Sequence, residues 1–176
     1  MGRPARLIAP VLHAPILPDV LPSGLTIVFC GSAAGRVSAQ RRAYYAGPGN
    51  RFWPMLHAIG LTPHRLRPEE FPQVTRFGIG LTDVCKSESG ADSQLSRQVY
   101  DAEGLRRKIR RTCPRVLAFN GLKPARAVLG RDATYGRQDQ PLGSTIVFVL
   151  PSTSRAANGF WDERHWHELA KFLRGV

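Results

Sequence analysis

Asp83 is the first residue whose type and position indicate chemistry. It ends the segment Gly80-Leu81-Thr82-Asp83, at the end of an apolar run that begins at Phe77. A carboxylate at the tip of a buried strand can orient a water molecule or stabilise a developing positive charge. The competing interpretation is a helix N-cap or an ion-pair partner, because both roles are common for aspartate.

A glycine-rich stretch, Gly31-Ser32-Ala33-Ala34-Gly35-Arg36, directly follows another apolar run. Glycine permits tight turns and a close approach of the backbone to a ligand. The stretch contains neither the GxGxxG pattern of dinucleotide-binding folds nor the GxxxxGK[ST] pattern of a P-loop. It therefore indicates a ligand-binding loop and disfavours an enzyme with a nucleotide cofactor.

Two further segments carry side chains that suit nucleic acid. Tyr45 precedes Gly47-Pro48-Gly49, where its ring could stack on a base or pack in the core. Ser152, Ser154 and Arg155 follow an apolar run, and hydroxyl groups with an arginine in such a place suit phosphate contacts. For this second loop the alternative is a solvated turn.

Strands and helices are predicted to alternate around these loops. The predicted strands are four mostly apolar runs at residues 25–30, 77–81, 115–119 and 146–150. The predicted helices lie at residues 51–59, 101–112 and 123–129 and around Trp166, Leu169, Ala170 and Leu173. Residues 31–49 are predicted to be a long loop. This alternation predicts an α/β fold with a parallel sheet covered on both faces, and ligands bind such sheets at the carboxyl ends of the strands.

The charge of the chain favours a polyanionic partner. Lys and Arg total 25 against 13 Asp and Glu, which gives a net charge of +12. Each phosphate that a protein neutralises releases condensed counterions. Nucleic acid is therefore the leading partner class, ahead of an anionic membrane surface and of a basic surface that binds nothing.

The sequence predicts neither a metal site nor a bound cofactor. Cys30, Cys85 and Cys113 are far apart and form no CxxC pair. A zinc site or an iron–sulfur cluster needs closely spaced thiolates.

The N-terminal part is predicted to be an extended lead-in at residues 1–24, followed by a single domain at residues 25–176. Pro4, Pro10, Pro15 and Pro18 interrupt the lead-in and argue against a signal peptide. No apolar stretch is long enough to span a bilayer. We expect a cytoplasmic protein without a membrane partner, and a monomer is the simplest expectation for its oligomeric state.

Five short motifs occur in a fixed order along the chain. They are Phe29-Cys30-Gly31, Ala46-Gly47-Pro48-Gly49-Asn50-Arg51-Phe52-Trp53, Gly80-Leu81-Thr82, Phe119-Asn120-Gly121 and Leu150-Pro151-Ser152-Thr153-Ser154. Together they resemble the motifs of the mismatch-specific uracil/thymine DNA glycosylases, a family of the uracil-DNA glycosylase superfamily. The resemblance covers residues 18–174, and the Asn-Arg-Phe-Trp block is its most specific part.

The resemblance implies a fold, an activity and a partner. The fold would be a three-layer α/β/α sandwich with a central four-stranded, mostly parallel sheet. The activity would be that of a monofunctional hydrolase without a metal or a cofactor, which flips a base out of the duplex and leaves an abasic site. The partner would be double-stranded DNA that contains uracil or a mismatch.

The resemblance also assigns site residues. Tyr45 matches the aromatic residue that stacks on the flipped base, and Ser38 matches a small polar residue near the base. Ser32 and Ala33 belong to the first motif and would line the base pocket. The implied DNA contacts are Asn120, Ser152, Ser154 and Arg155. Gly35, Arg36 and Lys123 are further predicted DNA contacts, because they lie in the loops that follow the predicted strands. Within the last motif, Arg155 or Ala156 would be the wedge that enters the duplex, and Arg155 has the longer side chain.

The first motif departs from the family pattern. The family usually has Gly-Ile-Asn-Pro-Gly, and its Asn holds the attacking water. Ala33 stands in the place of that Asn, and a methyl group cannot hold a water molecule. Our hypothesis is that Asp83 instead activates the water or stabilises the sugar cation.

Three alternative functions remain open at this point. The Leu-Pro-Ser-Thr-Ser segment also resembles glycosylases that act on hypoxanthine. Without the usual Asn, the protein could bind damaged or abasic DNA and not cut it. A nuclease or a nucleotide hydrolase ranks last, because a nuclease typically needs clustered carboxylates for metal ions.

Overall fold

The fold is a central sheet with helices on both faces. The computed structural model describes residues 14–175. Its strands, in chain order, are β1 (Ile27–Gly31), β2 (Ile79–Asp83), β3 (Val116–Asn120), β4 (Gly136–Arg137) and β5 (Ile146–Leu150). They lie in the order β2-β1-β3-β5-β4. Strands β1, β2, β3 and β5 are parallel, while β4 pairs antiparallel with β5.

The predicted α/β sandwich is confirmed, and the sheet has one strand more than expected. The extra strand, β4, has only two residues and includes Gly136. So short a segment has no alternation of apolar and polar residues that could predict it.

Residues 14–175 also form five α-helices and four 3₁₀ helices, which lie between the strands or follow the last one. The α-helices are α1 (Arg36–Arg41), α2 (Phe52–Ala58), α3 (Ala102–Thr112), α4 (Leu122–Leu129) and α5 (Arg164–Arg174). The 3₁₀ helices are Pro68–Phe77, Asp92–Gln94, Arg97–Val99 and Arg155–Phe160. Helix α1 lies inside the predicted loop of residues 31–49, so that part of the prediction is wrong.

Alternate residues of β1 point to opposite faces of the sheet and join two different cores. Phe29 packs between Phe52 of α2 and Trp166 of α5, with ring centroids 5.2 Å and 5.7 Å away. Val28 faces the other layer, which contains Leu105 of α3. The strands are thus buried on both faces, which is why they are apolar runs without alternation.

The N-terminal segment runs along the free edge of β2. Val20 and Leu81 exchange two backbone hydrogen bonds, of 2.9 and 3.0 Å, and Leu17 is buried in the core. Gly80 permits this approach, since a Cβ there would lie 2.7 Å from the carbonyl oxygen of Val20. Residues 14–24 of the predicted lead-in therefore cover a sheet edge, and residues 1–13 lie outside the described residues.

Within residues 14–175, no helix combines the length and the apolar composition needed to cross a bilayer.

Candidate active site at the carboxyl ends of the strands

The loops that follow the carboxyl ends of the parallel strands meet at one edge of the sheet. Gly31, the last residue of β1, is in register with Asp83, the last residue of β2. On the other side, Asn120 at the end of β3 is in register with Leu150 of β5. The candidate side chains are therefore brought together by topology, as in other parallel α/β sheets.

Asp83 is the last residue of β2, the outermost of the parallel strands, and is only 4% exposed. Burial raises the pKa of its carboxyl to about 6, and the nearby Lys86 ammonium limits the rise. The two charged groups are 3.5 Å apart, from Asp83 Oδ2 to Lys86 Nζ. Asp83 is thus a buried carboxylate whose pKa lies just below neutral pH, which suits a general base.

Gly31 leaves the space that the Asp83 carboxylate occupies. A Cβ at position 31 would lie 2.6 Å from Asp83 Oδ1 and 3.4 Å from the Tyr45 hydroxyl. No real Cβ makes the first of these contacts, so glycine is required here by close approach. The Asp83 carboxylate and the Tyr45 hydroxyl therefore both lie beside Gly31.

Tyr45 presents its ring to the site from a strained backbone. Its φ of +54° is unusual for a residue with a side chain, and its ring stacks on Phe52 with centroids 3.9 Å apart. The hydroxyl is buried and has no hydrogen-bond partner among residues 14–175, although the Asn120 amide lies beside it. The predicted packing and the predicted stacking are compatible, because Phe52 occupies one face of the ring.

Ser38 supports the loop that carries Tyr45. It is buried on α1, and its hydroxyl oxygen accepts a hydrogen bond of 3.0 Å from the backbone N–H of Ala46. Trp53 adds a second brace, since its indole N–H donates to the carbonyl oxygen of Tyr44 at 2.9 Å. The contact of Ser38 with a base, which the resemblance implies, remains a prediction.

Asn120 joins the ends of β3 and β5 from inside the protein. Its Nδ2 donates to Thr153 Oγ1 at 2.8 Å, and its Oδ1 accepts from the Thr153 backbone N–H at 2.9 Å. Both side chains are buried. The amide thus forms a clamp that holds the last motif, and the contact of Asn120 with a nucleic-acid backbone, which the resemblance implies, remains a prediction.

The last motif exposes its remaining polar side chains. Ser154 caps the 3₁₀ helix Arg155–Phe160, as its hydroxyl oxygen accepts from the Ala156 N–H at 3.3 Å. Arg155 is exposed and lies over the loop that carries Tyr45, with its Cδ 3.2 Å from the position of a Cβ on Gly49. Ser152 is partly exposed beside Gly121.

One exposed aromatic residue at this edge is absent from the sequence prediction. Phe160, at the end of the 3₁₀ helix that begins at Arg155, is 74% exposed and is the only exposed large apolar side chain of residues 14–175. Single exposed apolar residues carry no sequence signal of their own. Its position makes it a second candidate, beside Arg155, for contact with a duplex.

The first motif pairs with the loop after β2. Ser32 is buried, and its carbonyl oxygen accepts from the Cys85 N–H at 2.8 Å. Ala33 is partly exposed and offers no polar side-chain atom. Gly35 precedes α1 as its N-cap with an extended backbone, and Arg36 is exposed at the first position of that helix.

A basic groove follows α4. It has a volume of about 780 Å³, and Tyr100, Lys123, Arg126 and Arg131 are among the residues that line it. The Lys123 ammonium lies 5.9 Å from the centre of the Tyr100 ring. None of the three cations forms an ion pair with a carboxylate of residues 14–175. Of these cations, the sequence predicts only Lys123 as a DNA contact.

Lys86 and Asp19 also belong to the site, although the sequence prediction does not include them. Lys86 Nζ is 3.1 Å from Asp19 Oδ1, in addition to its contact with Asp83. It also donates a hydrogen bond of 2.8 Å to the Tyr44 hydroxyl. Lys86 lies three residues after Asp83, whereas no local spacing joins Asp19 to either residue. In the part of the chain that is described, no group of three His, Cys, Asp or Glu side chains could hold a metal ion.

Comparison with known proteins shows the family to which the chain belongs. The model of the uracil DNA glycosylase superfamily matches residues 18–173. A solution NMR structure of a candidate uracil DNA glycosylase from Methanosarcina acetivorans is 29% identical over 90% of this chain and 96% of that chain, with a TM-score of 0.62. Because the family model matches nearly the whole described chain, the protein belongs to the uracil DNA glycosylase superfamily.

Proposed function

We propose that the protein is a monofunctional DNA glycosylase that hydrolyses the N-glycosidic bond of uracil in double-stranded DNA and leaves an abasic site. The single observation that carries the proposal is the buried Asp83 carboxylate beside Gly31 and the Tyr45 ring, at the ligand-binding edge of this fold. Superfamily membership supports a hydrolase of the DNA glycosylase class. The preference for uracil and the mismatch-specific branch rest on the sequence motifs.

The flipped base stacks on Tyr45 in this proposal. Phe52 covers one face of the Tyr45 ring, with centroids 3.9 Å apart, so the base takes the other face. A base gains roughly 1–3 kcal/mol from stacking on an aromatic side chain. An enzyme that acts on a base inside a duplex has to extrude it first, and this stack offsets part of the cost.

Asp83 supplies the chemistry. The bond from C1′ to the base breaks, and its electron pair leaves on the base. A water oxygen bonds to C1′, and the Asp83 carboxylate takes the proton of that water. The negative charge of the carboxylate also stabilises the positive charge that develops on the sugar. The Ala33 side chain cannot hold the water molecule. In this proposal Asp83, at the end of the neighbouring strand β2, activates the water instead.

A variant of Asp83 tests this assignment. Asp83→Asn keeps the size of the side chain but cannot accept a proton, so we expect single-turnover release of uracil to fall by about 10²- to 10⁴-fold. The substrate is a labelled duplex with one uracil, incubated with a chelator and then cleaved with alkali. Asp132→Asn, at an exposed position, is the matched control. A rate for Asp83→Asn within a few-fold of the parent would exclude Asp83 as the base.

The acidity of Asp83 also predicts the pH dependence. Its pKa is raised to about 6, chiefly by burial, and the ionised form is the active one. Base release should therefore be constant at neutral pH and fall about tenfold per pH unit below the pKa.

Thymine and hypoxanthine duplexes in the same assay separate the related activities, and tight binding without release would indicate a non-catalytic binder.

A further inference from the structure

Behind Asp83, two lysines and a second aspartate form a charge network across three elements. Lys86 Nζ lies 3.1 Å from Asp19 Oδ1 and 3.5 Å from Asp83 Oδ2, so one ammonium serves both carboxylates. Lys108 Nζ of α3 is 2.6 Å from Asp19 Oδ2. Thr82, the residue before Asp83, donates its hydroxyl to Asp19 Oδ1 at 2.7 Å. Asp19 is therefore the centre of the network.

Asp19 is held in place by the segment that covers the edge of β2. The backbone of Val20 pairs with Leu81, and the carbonyl oxygen of Pro18 accepts a hydrogen bond of 3.2 Å from the Tyr44 hydroxyl. The Asp19 side chain is three-quarters buried, unlike the partners of a flexible surface pair, which contribute little. The neighbours of Asp19 in sequence thus fix the position of its carboxylate.

Asp19 is negatively charged over the range in which Asp83 titrates. Burial, the largest single influence, would raise the pKa of Asp19, but Lys86, Lys108 and Thr82 together lower it below its usual value. A charge of this kind opposes ionisation of a neighbouring carboxyl. The negative charge of Asp19 indeed raises the pKa of Asp83, while Lys86 and Lys108 lower it.

The remaining titratable groups around Asp83 are neutral near pH 6. They are the Cys30 thiol of β1 and the hydroxyls of Tyr44 and Tyr45, and burial raises the pKa of each of them. The charges that face Asp83 are therefore those of Asp19, Lys86 and Lys108.

We infer that Asp19 is a positioning residue for the reaction, which shares Lys86 with Asp83 and so keeps the Asp83 carboxylate basic enough to accept a proton. Without Asp19, Lys86 would pair with Asp83 alone and hold it as a weaker base. A general base is most effective when its pKa lies near the working pH. The inference rests on the proposed role of Asp83.

The test compares Asp19→Asn with the parent protein in the full chain. Uracil release from a duplex is measured in single turnover between about pH 4.5 and 8. Asp19→Asn should move the acidic limb of the profile down by about 0.5 to 1 pH unit and lower the plateau rate, with little change in the protein concentration that gives half the maximal rate. Glu70→Gln is the matched control, because Glu70 is similarly buried and pairs with Arg67 away from Asp83. It should leave the profile unchanged.

A second variant has the opposite sign and guards against a folding defect. Lys108→Met removes a cation that neutralises Asp19 and lowers the pKa of Asp83, so the acidic limb should move up. If Asp19→Asn does not fold, an upward shift in Lys108→Met supports the inference, and a downward shift or no shift contradicts it. Coincident profiles of the parent, Asp19→Asn and Lys108→Met would overturn the inference.

A titration that does not depend on activity separates this inference from the proposed function. The ¹³C carboxyl signal of Asp83, assigned with Asp83→Asn, reports its pKa in each variant directly. If no variant releases a base, the proposed function fails, while a downward shift of this signal in Asp19→Asn still supports the electrostatic role of Asp19. An unshifted signal contradicts that role even in an active enzyme.

Discussion

At the scale of single residues, the site depends on a close approach of Gly31 to Asp83. The sequence predicts both residues as candidates, because each lies at the end of an apolar run and the ends of such runs are visible in the sequence. Lys86 lies three residues after Asp83, but a single lysine there indicates no particular chemistry. Asp19 cannot be predicted, since only the pairing of the N-terminal segment with β2 brings it to the site. Ion pairs between distant parts of a chain leave no periodic pattern.

Gly31→Ala tests whether this approach matters for chemistry. The new Cβ would lie 2.6 Å from Asp83 Oδ1, so the carboxylate must move, and a displacement of this size can cost about 10²-fold in rate. We expect a loss of at least tenfold in single-turnover uracil release. Gly159→Ala is the control, because nothing lies within 4 Å of a Cβ there. Equal rates for the two variants would contradict the importance of the close approach.

At the scale of elements, the local sequence predicts the strands better than the short helix α1. Strand β5 is predicted at its observed bounds, and the other three parallel strands within two residues. Helix α1 is not predicted, because it has only six residues, no acidic residue in its first turn and no side-chain cap. It nevertheless carries Ser38, which braces the Tyr45 loop.

The clamp between β3 and the last motif makes a prediction about stability. Asn120→Ala leaves the backbone N–H and the hydroxyl of Thr153 without their partner in a buried place. We expect the free energy of unfolding to fall by about 1–3 kcal/mol, measured by denaturant titration. Ser154→Ala, on an exposed turn of the same motif, should change it by less than about 1 kcal/mol. A similar change in both variants would show that the clamp does not stabilise the motif.

At the scale of the whole molecule, charge and topology point to the same edge. The chain carries a net charge of +12, and the basic groove lined by Lys123, Arg126 and Arg131 starts where α4 leaves the candidate site. The sequence predicts the polyanionic partner and the sandwich fold, because composition and the alternation of strands and helices are global signals. It cannot predict the groove, whose wall at Tyr100 comes from another part of the chain.

Neutralising the groove should weaken binding without changing the chemistry. A variant with methionine at positions 123, 126 and 131 is expected to bind a uracil duplex less tightly and to lower the salt dependence of log Kd by about 0.9 for each lost phosphate contact. The single-turnover rate at saturating protein should remain within about threefold. Fluorescence anisotropy at several salt concentrations measures the slope.

The matched control removes the same charge elsewhere. Arg76 and Arg111 stand close before β2 and β3, at the opposite edge of the sheet, and Lys171 is in the last turn of α5. All three are exposed. If methionine at these positions lowers the slope as much as the groove variant does, binding follows net charge and not the groove.

The most direct test of the account is the release of a free base by the unaltered protein. Duplexes with one uracil, thymine or hypoxanthine in a defined pair are incubated with the protein and a chelator, and the released base and the alkali-labile site are both measured. The account predicts free uracil and cleavage at the uracil position, with no cleavage of the intact duplex. It would be contradicted if no duplex lost a base and the protein bound damaged and intact duplexes equally well.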